Sequence, residues 1–447
     1  MPKDFIDIVP FENVSKLKID IPGSKSISNR ALILSVLNDG IVKLHRILKS
    51  DDVDIMISAL KNLGVNIQEK SDAIIVHGTG GNLPVKKANI EVGNAGTVAR
   101  FLTALLALQE QGEYILDGTD AMRKRPMEGL LRALESHGCK FKFLNKDYHF
   151  PFKMISGGLD SGDWIIDAST SSQILSAILI IAPYIKGNKT IQLLGDTVSK
   201  PFVKMTIDMM RHFSVNNEFE RSTEYNNQFT LGNFKYKLNK DVYEIEPDAT
   251  AASYFLSLPI AVKGMVLVND LQNSVLQGDI NYSRILSRCG LTINYTESGI
   301  QASFSRELMG GTYDFNDISD TFLTLAALSP ILKSPLEITG IEHTRHQETD
   351  RVSGMAKELK KLLYRVDERD DSLHLFPHEN LNKFLDGGSV SIETYDDHRF
   401  AMSFAVLGCY NLYGNFRPWI RILDPLCCGK TFPTFFDKLQ ECRMNKG

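Results

Sequence analysis

Apolar runs headed by small polar residues recur along the chain at nearly even spacing. The first is Gly23-Ser-Lys-Ser-Ile-Ser-Asn-Arg30, leading into Ala31-Leu-Ile-Leu-Ser-Val-Leu37. Similar starts follow at Asn94-Ala-Gly-Thr97, Ser169-Thr-Ser-Ser-Gln173, Asp248-Ala-Thr-Ala251, Asp317-Ile-Ser-Asp320 and Asp396-Asp-His-Arg399. From Ser24 through Gly96, Ser171, Ala249, Asp320 and Asp397 the steps are 72, 75, 78, 71 and 77 residues. Ser, Thr, Asn and Asp before an apolar run predict helix starts, because their side chains accept hydrogen bonds from the first unpaired N–H groups. A second pattern keeps the same period: amphipathic helical stretches at 55–63, 127–137, 203–213, 280–289 and 352–363, with a sixth beginning at Pro433. Each leads toward a short apolar or alternating run of strand type. Six units of about 75 residues argue for an internally repeated α/β chain rather than an extended solenoid, whose repeats are shorter.

Length changes this picture little: 447 residues suggest about three domains, or two if the repeats pack three to a domain. A hydrophobic fraction of 43% and a charged fraction of 23% are those of a globular protein with substantial cores. The net charge of −4 gives no general affinity for nucleic acid, so anion binding must come from local clusters of cations. The six cysteines have no zinc spacing, and Cys427-Cys428 is adjacent rather than Cys-x-x-Cys. Scattered thiols and an N-terminus without the basic and apolar regions of a signal peptide predict a cytoplasmic location. The apolar run 174–185 contains Ser176 and Pro183 and is too short to cross a bilayer, so a buried helix is expected there.

Local cations do cluster. Lys25, Ser26 and Arg30 stand at a predicted helix N-terminus, where unpaired N–H groups and the helix dipole favour an anion, and Ser26 and Arg30 share one face. The stretch is not a Walker A loop. Further cations sit at Arg123-Lys-Arg125-Pro126, around Glu348 at Arg345 and Arg351, at His398-Arg399, and at Cys428-Gly-Lys430-Thr431. Any one of these reads equally as a solvated surface group. Their coincidence with the repeated helix starts points instead to one polyanionic site. Asp320 and Glu348, interleaved with the cations, read either as salt-bridge partners or as general acid and base, and spacing alone leaves both open. Ser171-Ser172-Gln173 lacks the Gly-x-Ser-x-Gly elbow of a serine nucleophile.

These stretches, with Gly93-Asn-Ala-Gly-Thr97, Arg125-Pro126, Ser171-Ser-Gln173, Ser199-Lys-Pro201, Gln277-Gly-Asp279, Glu348-Thr-Asp-Arg351, Asp397-His-Arg399 and Lys430-Thr-Phe-Pro433, follow one another in a familiar order and separation. Over nearly its whole length the chain resembles the 5-enolpyruvylshikimate-3-phosphate synthases. The resemblance implies an α/β (α+β) protein with the enolpyruvyl transferase fold, a two-domain inside-out barrel of six βαβαββ repeats. It implies domains at 22–244 and at 1–21 plus 245–447, each of three repeats, with the active site in the cleft between them and closure on substrate. It implies transfer of the enolpyruvyl group of phosphoenolpyruvate to the 5-hydroxyl of shikimate 3-phosphate, by addition and elimination through a tetrahedral intermediate. Phosphate is released, on the route to chorismate and the aromatic amino acids. No metal or organic cofactor is implied, and the partners are the two small substrates, with no nucleic acid or membrane, acting on a monomer.

Carried over by motif, the resemblance implies that Ser26, Arg30, Ser171, Ser172, Gln173, Ser199, Asp320, His343 and Gln347 bind shikimate 3-phosphate. Phosphoenolpyruvate falls to Lys25, Asn94, Gly96, Arg125, Gln173, Arg351, His398, Arg399 and Lys430. Asp320 and Glu348 handle protons at the hydroxyl and at the enol carbon, while Lys25 and Lys430 stabilise charge on the leaving phosphate. The chain departs from the family pattern at Gln347, where a lysine often contacts the acceptor phosphate; His343, Arg345 and His346 are the candidate replacements. Thr344 replaces an aromatic and Phe202 a tyrosine, and Ala99 and Phe101 flank Arg100 where Met and Pro are usual, near the pocket that also takes the inhibitor glyphosate.

Rival readings are distinguishable. UDP-N-acetylglucosamine enolpyruvyl transferases carry a reactive cysteine where this chain has Asp120, and no cysteine precedes Cys139. RNA 3′-phosphate cyclases share the repeat idea but not the motifs. A paralogue using another acceptor is motivated by Gln347 and Phe202. A non-catalytic binding paralogue would have no need of both carboxylates among the cations.

Overall fold

The repeat inferred from spacing takes the form of strand, helix, strand, helix and hairpin. It is plainest between Lys87 and Ser156: strand Lys87–Glu91, helix Gly96–Ala107, strand Gly112–Asp117, helix Glu128–Glu135, then strands Lys140–Phe143 and Phe152–Ser156. The first two strands pair in parallel, Lys87 opposite Glu113 and Glu91 opposite Asp117; Gly112–Asp117 then pairs antiparallel with Phe152–Ser156. Alternation along Gly112–Asp117 turns Gly112, Tyr114 and Leu116 inward, so one face of the sheet covers the core and the other meets water. The structure, a computed structural model, describes residues 5–12, 14–187, 189–195, 199–214, 223–225, 228–272, 276–363 and 365–444.

The chain divides into two compact units, Gly23–Glu246 and Met1–Pro22 with Pro247–Gly447. Gly23–Glu246 holds three four-stranded sheets of this type. One has an unusual source for its opening strand: Val242–Glu244, from the far end of the unit, lies parallel to Ile41–His45. In the other unit Leu17–Ile19 likewise opens a sheet against Met265–Asn269. The sixth sheet differs from the repeat, having three described strands, Phe5–Asp7, Ile420–Leu423 and Val390–Ile392. There Phe5–Asp7 pairs antiparallel with Ile420–Leu423, in the place a hairpin strand occupies elsewhere.

In every repeat the first helix is the interior one. Gly96–Ala107 and His398–Gly408 are buried at every residue, as an almost wholly apolar helix must be. Lys25–Leu37 is buried from Ile27 onward, and Ala249–Val262 at Ala249 and from Ala251 onward. Where such helices meet, short polar groups pair: Asn29 Nδ2 donates to Thr97 Oγ1 at 2.7 Å, and the Ser253 and Thr324 hydroxyls lie 3.0 Å apart. Each pairing satisfies groups that burial would otherwise strand without partners.

The second helices are amphipathic: Asp51–Asn62, Glu128–Glu135, Lys200–His212, Tyr282–Cys289, Arg351–Leu359 and Phe435–Met444. The first begins four residues before the expected 55, because its opening turn is made of Asp51, Asp52 and Asp54, acids that suit a helix start but are silent in an apolar pattern. The run 174–185 forms a buried helix, Ser172–Ile181, then a 3₁₀ turn, Ala182–Tyr184, where Pro183 lacks the N–H to continue. Trp164 and Trp419 are both fully buried, Trp164 stacked on His137 with ring centroids 3.8 Å apart. Among the described residues all cysteines are free thiols, and no helix is long and apolar enough to cross a membrane.

Candidate active site

In Gly23–Glu246 the predicted residues collect at the starts of the three interior helices. A Cβ on Gly23 would lie 1.8 Å from the Arg46 carbonyl oxygen, so only glycine lets the chain enter the first helix here. Ser24, Ala95 and Ser171 are the capping residues, all uncharged; Ser171 Oγ accepts from the Gln173 N–H at 3.3 Å, and Ser24 makes no side-chain cap. The positive ends of these dipoles therefore carry no carboxylate of their own caps. Lys25 lies on the first turn with Nζ 3.2 Å from Asp52, and Ser26 is half-buried beside it. Ser172 and Ser199 are buried, and Ser199 holds a left-handed φ of 51° just before helix Lys200–His212.

Arg30 is 1% exposed. Its Nε donates to Thr206 Oγ1 at 2.8 Å, Nη1 to the Ser26 carbonyl at 3.0 Å, and Nη2 to the Phe202 carbonyl at 3.2 Å and Ser176 Oγ at 3.4 Å. The rings of Phe101 and Phe202 lie 5.2 and 6.0 Å away. Among the described residues it hydrogen-bonds only hydroxyls and carbonyls, and burial pushes its pKa down to about 9. On the neighbouring helix start, Arg125 Nη1 donates to the Asn94 carbonyl at 3.3 Å, and Arg100 Nη1 donates to the Gly96 carbonyl at 3.2 Å. A Cβ on Gly96 would meet Arg125 Nη2 at 2.6 Å and Arg100 Nη1 at 3.0 Å, so this glycine holds two guanidinium groups against the helix end.

In the other unit Asp320, Gln347, Glu348, Arg351, Arg399 and Lys430 form one ion network. Arg351, 1% exposed, is its hub. Its Nε donates to Asp397 Oδ2 at 2.7 Å, Nη1 to Asp320 Oδ1 at 3.0 Å and to Gln347 Oε1, and Nη2 to Glu348 Oε2 at 2.9 Å. Arg399 Nη2 reaches Asp320 Oδ2 at 2.7 Å, and Lys430 Nζ reaches Glu348 Oε1 at 2.9 Å. Burial opposes the charge on both arginines, yet the surrounding carboxylates outweigh it and both pKa values are raised. Asp397 also caps helix His398–Gly408, accepting from the Arg399 N–H at 2.9 Å, and Asp248 caps Ala249–Val262, accepting from the Ala251 N–H at 2.8 Å.

His398 is fully buried with Nδ1 3.7 Å from Asp397 Oδ1. His343 Nε2 lies 2.9 Å from Ser319 Oγ, and burial, its largest influence, lowers its pKa, so at neutral pH it is an uncharged imidazole. Arg345 is committed elsewhere, to Asp350 at 3.0 Å, Glu368 at 3.1 Å and the Asp370 carbonyl at 2.9 Å. Neither supplies the cation that a lysine at 347 would bring. Arg123 pairs with Asp117 at 2.7 Å and Asp120 at 3.0 Å, as a solvated surface group.

Sequence reasoning gave no role to Asp397, Asp52, Thr206 or Asp279. Asp397 and Asp279 stand inside motifs that had been singled out, which was the available signal; Asp52 and Thr206 show only through the fold.

The sequence profile of the EPSP synthase (3-phosphoshikimate 1-carboxyvinyltransferase) family matches residues 12–439. The chain belongs to that family. A 3-phosphoshikimate 1-carboxyvinyltransferase of Opitutus terrae is 42% identical over 445 residues, 98% of each chain. One from Nostoc punctiforme is 37% identical, with 97% of this chain and 98% of the relative aligned. The EPSP synthase of Acinetobacter baumannii shares the fold at a TM-score of 0.75 and 22% identity, covering 98% of this chain and 97% of the other. The fold of this EPSP synthase family member is thus that of the enolpyruvyl transferases.

Proposed function

We infer that this chain is a 3-phosphoshikimate 1-carboxyvinyltransferase, moving the enolpyruvyl group of phosphoenolpyruvate to the 5-hydroxyl of shikimate 3-phosphate. The observation that carries the reading is the ion network in which Asp320 and Glu348 stand among Arg351, Arg399 and Lys430, in a chain matched end to end by enzymes of that name. Before substrate arrives, Arg351, Arg399 and Lys430 are paired with Asp320, Glu348 and Asp397. An anionic substrate that takes over those cations frees Asp320 and Glu348 for the proton transfers.

In this reading Arg351, Arg399 and Lys430, with Lys25 and Arg125, bind phosphoenolpyruvate, and Gly96 gives its backbone room. Arg30, Ser26, Ser171, Ser172 and Ser199 bind shikimate 3-phosphate, with Gln173 shared and His343 and Gln347 as uncharged hydrogen-bonding groups. C3 of the enol takes a proton from Glu348, present as the acid in this step, as the 5-hydroxyl oxygen attacks C2 and loses its proton to Asp320. In the second step C3 gives up a proton to Glu348 as the C2–O bond to phosphate breaks, with Lys25 and Lys430 receiving the charge. The two residue sets serve one reaction, and the enzyme works in the cytoplasm as a monomer.

Phosphate release from phosphoenolpyruvate tests this, run with shikimate 3-phosphate beside shikimate and UDP-N-acetylglucosamine. Release with shikimate 3-phosphate alone is the expected result; activity only on another acceptor makes the chain a paralogue, and silence throughout rejects catalysis. Glu348→Gln should cut kcat by about 10² to 10⁴, the usual worth of general acid–base catalysis. Undiminished turnover in that variant overturns the proton-transfer role.

A further inference from the structure

Asp279 lies outside every role assigned so far, and its surroundings are unlike those of the other acids. Gln277 anchors its turn, Gly278–Asn281, to the start of helix Ala249–Val262: Nε2 donates to the Pro247 carbonyl at 2.8 Å and Oε1 accepts from the Ala249 N–H at 2.9 Å. This fixes the Asp279 carboxyl, 5% exposed, on a turn that packs against the turn Asn316–Thr321 carrying Asp320. The Thr250 hydroxyl donates to Oδ2, while Oδ1 is buried with no hydrogen-bond partner. The charged groups that act on it most strongly are Asp320 on the turn Asn316–Thr321, Arg399 on helix His398–Gly408 and Asp248 before helix Ala249–Val262. Tyr254 and Tyr282 lie on the adjoining helices as phenols that burial keeps protonated.

Of the charges that act most strongly on Asp279, two are the acids Asp320 and Asp248 and one is the guanidinium of Arg399, itself bonded to Asp320. Asp320 takes hydrogen bonds from two arginines, at 3.0 and 2.7 Å; Asp279 takes one from a hydroxyl. When neighbouring carboxyls cannot both ionise at low cost, the proton stays on the one with weaker cationic support. We propose that Asp279 is a positioning residue that keeps its proton while Asp320 is ionised, and so sets how many negative charges an incoming anionic substrate meets. The inference rests on the reaction proposed above. Burial, then the charge of Asp320, pushes the Asp279 carboxyl up to about 7, so the proton leaves within the working range of pH. Its loss adds a negative charge that acts on Asp320 and Arg399 and weakens phosphoenolpyruvate binding. The folded carboxyl binds its proton more tightly than the unfolded one, so the stability this confers is complete below the unfolded value of 3.8 and is lost as pH rises through about 7.

Difference infrared spectra of the ligand-free protein between pH 6 and pH 8.5 should show a protonated-carboxyl band that disappears with a midpoint near 7. Asp279→Asn, which reproduces the shape of the neutral acid, should remove that band. Thr250→Val should move its midpoint to higher pH, because the hydroxyl favours the ionised form. In kinetics the wild-type KM for phosphoenolpyruvate should rise about tenfold across this range, and that of Asp279→Asn should stay within about twofold. A merely structural residue would change stability without removing the band or flattening the KM profile. A band unaffected by Asp279→Asn, or a midpoint unmoved by Thr250→Val, overturns the proposal. The infrared titration uses no substrate, so a wild type inert toward shikimate 3-phosphate counts against the reaction, whereas a missing band counts against Asp279.

Discussion

Arg30 and Arg351 are each 1% exposed, and the two units give them opposite surroundings. Arg30 is held by Thr206, Ser176 and two carbonyl groups, and burial lowers its pKa; Arg351 is held by Asp397, Asp320 and Glu348, and its pKa is raised. The helix starts follow the same division. The caps are Ser24, Ala95 and Ser171 in one unit; Asp248 and Asp397 fill cap positions in the other. One unit offers positive potential that its own caps and its buried arginine's partners leave uncancelled. The other stores cations and carboxylates in balance, ready to be exchanged. The first arrangement suits holding an anion that keeps its charge, such as the phosphate of the acceptor. The second suits a substrate whose arrival must free a base.

The largest effect that follows is on stability. Arg351→Met should cost about 3 to 5 kcal/mol in denaturant unfolding, because it strands buried Asp397 and removes a partner from Asp320 and Glu348. Arg30→Met should behave differently, changing stability by less than about 1 kcal/mol, since an apolar side chain of similar length replaces a buried charge without opposite partners. Its cost should appear in KM for shikimate 3-phosphate, up about 100-fold with kcat changed far less, in keeping with the loss of charge-assisted hydrogen bonds. If the two variants lose equal stability, the contrast between the units is wrong. The smallest effect sharpens the boundary between holding and exchanging. Gly96→Ala pushes a methyl group against the guanidinium groups of Arg125 and Arg100, so steady-state assays should find KM for phosphoenolpyruvate raised about three- to tenfold with KM for shikimate 3-phosphate little changed.

Much of this was legible in the chain because helix starts leave a local trace. The polar heads at Ser24, Ser171, Asp248 and Asp397 stand at helix cap positions, all but Ser24 with a side-chain cap bond, and the period they define is that of the sheets. At Asp317–Asp320 the trace was less faithful: a 3₁₀ turn, Asn316–Thr321, with Ile318 outside helical geometry, precedes helix Phe322–Leu328. Pairings across the fold leave no such trace. Asp397 meets Arg351 from 46 residues away and Thr206 meets Arg30 from 176, and neither spacing has a periodicity to read. The neutrality of His343 and the proton on Asp279 depend on burial and on neighbours' charges, which exist only once the chain has folded.

The pairing of Phe5–Asp7 with Ile420–Leu423 has a consequence for biosynthesis. The Asp7–Arg421 ion pair that locks it joins residues 414 apart, among the longest separations the chain permits. Gly23–Glu246 has all its strands once Glu244 has emerged, and can fold while the rest is still being translated. Phe5–Asp7 must instead wait for Ile420–Leu423, for about 20 to 80 seconds at ordinary ribosomal speeds. Throughout that interval its backbone is an unpaired edge open to other chains.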